Sequence, residues 1–582
     1  MLSLVEECSD LIAEQHGKVE DLSRIDFNDP AVYDMICEAD TVGVFQIESR
    51  AQMQMLPRTR PRSLDDLTVQ VAIIRPGPIV GGAVNPYVKH RQMQLADPGF
   101  KPPCDHPSLE PVLGETLGVI LYQEQVLQAA IAVAGFTEGQ AEALRRAMSR
   151  KRSRDNMARF WELFRDGALA RGVNEDIAKT VFEKIIAFAE FGFPKSHSAA
   201  FAILAYQSAW LRRYYPTEFT CALLNAQPMG FYPPHVLVHD GKRHGVTVLP
   251  PEINASAGVC TVEENALRVG FGYVQGIGAE TAKAIAAERT RNGAYRSLAD
   301  FVRRMNVVPG NIAGIDAEDG GWRMEDGTSS TVHRPPSTFG SKQEPSVGTP
   351  SSLQSPASSL SSLFAYLRRL PPDLRWGART APPSPHPIVR EEGIENLIQT
   401  GAFDAFGLNR RELLWQLGLL YRPPSAQLAL PMPIKQDLAP LRDLSTWERM
   451  AADYNLLSLS PNYHPMTLLR PSLGESLPSL RHLERMPDGE RVRVPGMVVC
   501  RQQPGTAKGF VFLLLEDEYG MLNVIVPPWL HERQRAEVRG EAFVIVEGEL
   551  QRKENTVNLL AERFHVLPAP SSMRPPESHN FG

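Results

Sequence analysis

Gly509-Phe510-Val511-Phe512-Leu513-Leu514-Leu515 is a long apolar run with the composition and length of a buried β-strand. Working outward, Val492-Arg493-Val494 alternates, residues 522–526 and 543–546 form two further strand-like runs, and a last one falls at 557–560. A charged helical piece, 529–539, separates the third run from the fourth. Five strands with a helix at that place is the order of an OB-fold barrel, which predicts a barrel over 490–567.

Upstream the periodicity is helical. Thr137-Glu138-Gly139-Gln140 has capping-box spacing, and Ala141, Leu144 and Met148 share a face behind it. A second helix is expected from Asn174, with Ile177, Val181, Phe182, Ile185 and Phe188 inward and Gly192 placed to stop it. Gly276-Ile277-Gly278 opens a short Ala-rich helix carrying Ala279, Ala282, Ile285 and Ala286. Order is expected again at Ile394, Leu397 and Ile398, then Gly401-Ala402-Phe403-Asp404. The predicted fold class is multidomain, mainly α, followed by the small β-barrel.

The 582 residues amount to about four domains at roughly 150 residues each. A net charge of −6 excludes a cationic wrap of the histone kind but not local basic faces. The 48 prolines predict loose stretches, and Ser, Pro, Thr and Gly dominate 306–388. That composition buries too little apolar area to offset chain entropy, so disorder is expected there and in the tail, 568–582; 421–489 reads as a helical connector. Six scattered cysteines without a Cys-x-x-Cys suit a reducing compartment, and Cys104 with His106 lacks a second ligand pair for zinc. No run reaches the ~18 apolar residues of a membrane helix; 199–211 is broken by Gln207 and Ser208. The first residues lack a signal-peptide pattern, so a cytoplasmic protein without membrane contact is expected.

The strongest electrostatic feature is Arg145, Arg146, Arg150, Lys151, Arg152, Arg154 and Arg159, with few acidic residues between Arg145 and Arg154. Guanidinium forks match phosphate oxygens, so this reads as an anion clamp for a triphosphate or a nucleic-acid backbone; the alternative is a solvated helix face. Lys195, at a predicted helix start, can join the same phosphate, while His197 alone carries no charge-relay constellation. Gly276 and Gly278 look like the turn of a helix-hairpin-helix whose backbone N–H groups face DNA phosphates, or an ordinary glycine turn. On the barrel, Phe510 and Phe512 with Arg501, Lys508, Arg552 and Lys553 suit single-stranded nucleic acid, unless the phenylalanines fill the core. Phosphoryl transfer usually needs clustered carboxylates holding two metal ions. No Asp-x-Asp occurs, and Glu516-Asp517-Glu518 reads as an exposed turn, so no catalytic or metal-ligating residue is assigned.

Five motifs in order carry a family resemblance: Gly43-Val44-Phe45-Gln46-Ile47-Glu48-Ser49, Arg75-Pro76-Gly77-Pro78, Leu121-Tyr122-Gln123-Glu124-Gln125, Leu144-Arg145-Arg146-Ala147-Met148 and Lys195-Ser196-His197-Ser198-Ala199-Ala200. They resemble the fingers region of bacterial C-family DNA polymerases, the DNA polymerase III alpha subunits. Arg410-Arg411-Glu412-Leu413-Leu414-Trp415 and Gly505-Thr506-Ala507-Lys508-Gly509-Phe510 are similar to the error-prone, ImuC-like type. The resemblance implies fingers over 1–226, a helix-hairpin-helix region over 227–305 plus 389–420, and the OB barrel. It implies that Arg145 and Arg146 contact the incoming deoxynucleoside triphosphate with Lys195 and His197 close by. It further implies that Arg150, Lys151, Arg152, Gly276, Gly278, Lys508 and Phe510 face DNA template-primer. The family's palm, with the aspartates that hold Mg²⁺, is expected upstream of Met1, so this chain alone is expected not to extend primers. An ImuB-like partner and the sliding clamp are implied as further partners, although Gln427-Leu428-Ala429-Leu430 lacks the aromatic ending of a clamp-binding peptide. Error-prone synthesis in damage tolerance is the implied function; the alternative is a non-catalytic DNA-binding accessory or an inactive fragment.

Overall fold

The computed structural model describes residues 2–74, 84–149, 154–189, 193–305, 389–421, 440–474, 477–553, 556–567 and 579–581. The expected disorder at 306–388, the clamp-peptide candidate at 427–430 and nearly all of the tail lie outside these residues, as do the Arg75-Pro76-Gly77-Pro78 motif and Gly192.

The chain opens with α1 (Leu2–His16), α2 (Pro30–Cys37), α3 (Arg50–Thr59), α4 (Leu64–Ile73) and α5 (Val84–Ala96), followed by α6 (Gln123–Ala134), α7 (Glu138–Ser149), α8 (Arg154–Ala170) and α9 (Glu175–Ala189). Then come α10 (Lys195–Tyr214), α11 (Pro216–Asn225) and α12 (Pro234–Arg243). The capping box before α7 forms: Thr137 N–H donates to Gln140 Oε1 at 2.9 Å and Gln140 N–H donates to Thr137 Oγ1 at 3.3 Å. Asn174 caps α9 through Asp176 N–H at 2.8 Å, as its sequence position predicts. Leu144, Phe164, Val181, Phe182 and Ile185 are buried in one core shared by α6–α9. A second core forms where Ala202, Ala205, Tyr206 and Ala209 of α10 meet Val32, Ile36, Val44, Leu56, Leu67 and Val71. The small residues on that face let α10 lie close against α2 and α4.

After a small three-stranded sheet, β1 (Thr247–Leu249), β2 (Thr261–Glu263) and β3 (Ala266–Arg268), come α13 (Ala279–Asn292), α14 (Leu298–Met305), α15 (Glu391–Gln399), α16 (Arg410–Leu420), α17 (Thr446–Leu457) and α18 (Pro465–Leu473). The barrel follows: β4 (Arg491–Gln502), β5 (Val511–Glu516), β6 (Met521–Val526), β7 (Phe543–Lys553) and β8 (Thr556–Val566). Its order β5-β6-β8-β7-β4 closes because β4 also pairs with β5. β4 can serve two neighbours because its register shifts between Val498 and Cys500, bending it around the barrel. Val494, Val511, Leu513, Leu515, Val524, Val544, Val546 and Leu559 fill the interior. The expected helix between the third and fourth barrel strands is two short helices, Pro528–Arg533 and Arg535–Gly540, broken at Gln534.

The barrel is held to the helices by polar groups. Arg50 Nη2 donates to Leu513 O and Asn523 Oδ1, both at 2.7 Å. Glu516 accepts from Arg243 Nη1 at 3.0 Å and from His239 Nδ1 at 3.1 Å, and Arg470 pairs with both Asp517 and Glu518. Glu516 and Asp517 are buried, so the exposed acidic turn expected from sequence is instead an anchoring point. The network continues through Asp240 to Arg212 on α10, which binds Asp240 Oδ2 at 2.6 Å and Asp40 Oδ1 at 2.5 Å. His244 Nε2 lies 2.6 Å from Asp40 Oδ2 and Nδ1 2.8 Å from Asp240 O, two acceptors that favour the protonated ring. Burial opposes charge on His244, but Asp40 holds its pKa above the ordinary value.

Glu48 is another buried carboxyl, accepting backbone N–H groups of Gly43 and Phe231. Gly230, at φ +76°, lets the chain approach it: a Cβ there would sit 3.3 Å from both Glu48 oxygens. Burial pushes its pKa up to about 7, against the two N–H donors.

Replacing Arg212 with Met leaves the buried Asp240 and the partly exposed Asp40 without the guanidinium they share, and is expected to cost about 3–5 kcal/mol in urea unfolding. For Glu48 the folded pKa is raised, so its contribution is complete below the ordinary value of 4.5 and lost as pH rises through about 7. Glu48→Gln should therefore gain melting temperature relative to the wild type as pH rises from 4.5 to 8. A constant gap across that range would contradict this.

Candidate polyphosphate and nucleic-acid interface

Arg145 and Arg146 lie on α7, one turn beyond Glu142. Leu144 faces the core, which leaves the two guanidinium groups at the helix edge, Arg145 32% and Arg146 73% exposed in their side chains. Glu142 reaches both. Its Oε1 is 2.7 Å from Arg145 Nη2 and 2.9 Å from Arg146 Nε, and its Oε2 is 2.8 Å from Arg145 Nε. Hydrogen bonds from the two guanidinium groups, Arg145 first, hold the Glu142 carboxyl down to about 2. The scarcity of acidic residues downstream of Arg145 therefore does not describe its surroundings, because the partner lies three residues upstream. Spacing of i,i+3 and i,i+4 on a predicted helix is the signal that identifies it. Arg150, Lys151 and Arg152 lie outside the described residues.

Lys195 begins α10 and also meets carboxylates. Its Nζ is 2.5 Å from Glu115 Oε2, and its backbone N–H donates to Glu124 Oε2 at 3.1 Å. Glu124 belongs to the Leu121-Tyr122-Gln123-Glu124-Gln125 motif, whose Gln125 is buried, accepts from Leu121 and Tyr122 N–H and donates to Thr116 Oγ1. α6 thus presents Glu124 to the start of α10 and packs α7 along its length. His197 is exposed and lies edge-on to Phe193 and tilted against Phe201, with ring centroids 4.8 and 4.1 Å away. That is the environment of an aromatic packing residue with one polar edge available.

Gly276 adopts φ +83°, and a Cβ on it would meet Asn396 Nδ2 at 3.4 Å and Gly393 Cα at 3.6 Å. Asn396 of α15 donates to Gln275 O at 2.8 Å, fixing the turn from behind. Gly278 is the N-cap of α13 with open space at its Cβ position, so the first N–H groups of that helix border open space. Sequence placed these two glycines together, but their jobs differ: Gly276 makes the turn and Gly278 leaves room in front of it.

On the barrel, Lys508 is exposed in the left-handed conformation (φ +50°) between β4 and β5, and Phe510 is half-buried beside it. Phe512 is half-buried too, while Val511, Leu513 and Leu515 take the interior, so neither phenylalanine is a full core residue. Two of the cations expected in the groove have structural partners instead. Arg501 is buried and donates to Val538 O and Glu541 O; Arg552 donates to Met486 O and Leu483 O.

Two clusters among the described residues have the ligand count of a metal site, and neither fits one. In His239, His464 and Glu516, His464 Nδ1 accepts Met466 N–H at 3.1 Å, so Nε2 carries the hydrogen and has no lone pair to offer. Burial holds both histidines well below the ordinary pKa, hence neutral, and Arg243 already neutralises Glu516. In Asp40, Asp240 and His244, Arg212 occupies the space between the carboxylates.

Gly276→Ala is expected to lose about 1–2 kcal/mol in urea unfolding, through left-handed backbone strain. Gly278→Ser, at an N-cap with room for a side chain, is expected to stay within about 0.5 kcal/mol of wild type.

Comparison with known proteins agrees in three places. The bacterial DNA polymerase III alpha subunit finger domain matches residues 1–172, a helix-hairpin-helix motif matches 245–312, and an OB-fold nucleic acid binding domain matches 492–567. Curated relatives named error-prone DNA polymerase align along nearly all of the chain. The protein from Corynebacterium efficiens is 38% identical over 98% of this chain and 44% of its own length. Those from Burkholderia pseudomallei and Mycobacterium tuberculosis (strain H37Rv) are each 37% identical over 97% of this chain, and 47% and 44% of their own lengths. The chain spans about half the length of the curated relatives it matches. With fingers, hairpin and barrel in the same order, the chain belongs to the bacterial DNA polymerase III alpha-subunit family, among its error-prone members.

Proposed function

We propose that this chain supplies the nucleotide-handling and DNA-handling parts of an error-prone polymerase for template-directed synthesis across damaged DNA. Its substrates would be deoxynucleoside triphosphates and primer-template, and its compartment the cytoplasm. The observation that carries the reading is the Arg145–Arg146 pair on an exposed helix edge, two guanidinium groups sharing one carboxylate. The planar forks of such a pair match the geometry of phosphate oxygens. Lys195 and His197 would flank the phosphate, and 150–152 would follow the backbone beyond it. The open N-terminus of α13 at Gly278 supports contact with duplex phosphates, which a helix N-terminus attracts without reading sequence. Lys508 and Phe510 on the barrel combine a cation and an aromatic face, as single-stranded template requires.

On this reading 1–226 serve as fingers, 227–305 with 389–420 as the hairpin region and 490–567 as the template-side barrel. The polymerase reaction takes Mg²⁺, which would stabilise charge on the transferring phosphoryl group. Neither described cluster fits that ion, so no step is derived through it. An ImuB-like protein and the sliding clamp would be partners of the full assembly.

The test is filter binding of primer-template by the full chain across a salt series. Arg145→Ala with Arg146→Ala should weaken retention and reduce the magnitude of the salt slope by up to about two, one for each lost phosphate contact. Unchanged retention and slope would overturn the assignment of these arginines.

A further inference from the structure

The cations assigned to the triphosphate, Arg145, Arg146 and Lys195, each meet a carboxylate. Glu142 spans Arg145 and Arg146, Glu115 meets the Lys195 ammonium, and Glu124 meets the backbone N–H that begins α10. Ion pairs are common on surfaces, but here the carboxylates occupy N–H donors that the polyphosphate reading assigns to phosphate oxygens. Building on the polyphosphate reading above, we propose that Glu142 is an internal counter-anion: it orients the two arginines while the site is unliganded and is displaced by the incoming polyphosphate.

The geometry favours exchange over a permanent lock. Glu142 is 33% exposed and Arg146 73%, so water can replace each contact as it breaks. Exposed pairs of this kind contribute little to stability and are readily exchanged. Glu142 takes the Nε and Nη2 edge of Arg145 and the Nε of Arg146, so a phosphate binding Arg145 through that same bidentate edge competes directly with the carboxylate. Removing Glu142 has two opposing effects. The arginines lose a fixed orientation, which weakens binding. The polyanion also loses a nearby negative charge and a competitor for the same N–H donors, which strengthens it. The second effect dominates, because repulsion scales with the several charges of a polyphosphate, whereas ordering two half-exposed arginines is a fixed cost.

The experiment is calorimetric titration of the full chain with inorganic tripolyphosphate at several salt concentrations. Glu142→Gln should bind about threefold tighter or more, with a steeper salt dependence, because the site gains one unit of positive charge. Glu142→Asp keeps the charge one methylene back and should retain a wild-type salt dependence. Arg145→Ala with Arg146→Ala should bind more weakly than wild type. If the arginine variant weakens binding while Glu142→Gln is unchanged or weaker, the counter-anion role is wrong and the polyphosphate site stands. If neither variant changes binding, or wild type and Glu142→Gln both fail to bind tripolyphosphate, the polyphosphate reading itself falls. Thermal melting of Glu142→Gln separates these results from misfolding, since an exposed pair should leave the transition nearly unmoved.

Discussion

A guanidinium group taken out of water has to be matched by opposite charge and by acceptors for its N–H groups, and Arg212 imposes that constraint on the centre of this chain. It is 4% exposed, so nearly all of its hydration is lost. Asp40 and Asp240 flank it, Val42 O and Asp40 O accept its remaining N–H groups, and His244 closes the ring. Burial works against its charge, and the two aspartates outweigh it, raising the Arg212 pKa above its ordinary value. Asp240 also meets Arg243, and Arg243 passes the network to Glu516 at the end of β5. Hydrophobic burial is non-directional and would tolerate several ways of resting a barrel on helices. A chain of alternating charges tolerates few. We attribute the orientation of the barrel to this network rather than to apolar area.

The polymerase motifs look different once their side chains are placed. In Gly43-Val44-Phe45-Gln46-Ile47-Glu48-Ser49, Gly43 leaves space that Leu223 fills, Glu48 holds backbone N–H groups and Ser49 caps α3. Arg50, immediately after it, reaches the barrel. Gln125 ties the entry of α6 to the preceding turn, and Ser198 is wholly buried. Most motif positions thus build the scaffold. Arg145, Arg146 and Lys195, by contrast, lie on exposed edges.

What could be read from sequence follows the range of the interaction concerned. The barrel's strand order and its intervening helix were legible because alternation and turn signals are local, and so was the cap at Asn174, whose bond spans two residues. The burial of Glu516 and Asp517 was not legible. Their partners Arg243, His239 and Arg470 lie 273, 277 and 47 residues away, and nothing in Glu516-Asp517-Glu518 distinguishes an anchor from a solvated turn. Arg501 and Arg552 misled for a related reason: a cation on a strand can face a groove or cap carbonyls of its own domain, and local sequence does not separate the two. Glu142 was within reach, since its bonds to Arg145 and Arg146 span three and four residues, but a charge run inspected only downstream omits it.

Arg212 and Arg145 are paired in contrasting surroundings. Both are held by carboxylates at hydrogen-bond distance, so pairing alone does not separate them. Solvent does. At Arg212 and Asp240, 4% and 6% exposed, breaking the pair strands both charges where water cannot hydrate them. At Arg145 and Arg146, 32% and 73% exposed, water or a competing anion can take over each bond as it opens. The Arg145–Arg146 edge is in reach of water, whereas the pair of Arg212 with Asp240 is not. Desolvated pairs fix the frame, and hydrated pairs on its rim can open to solvent.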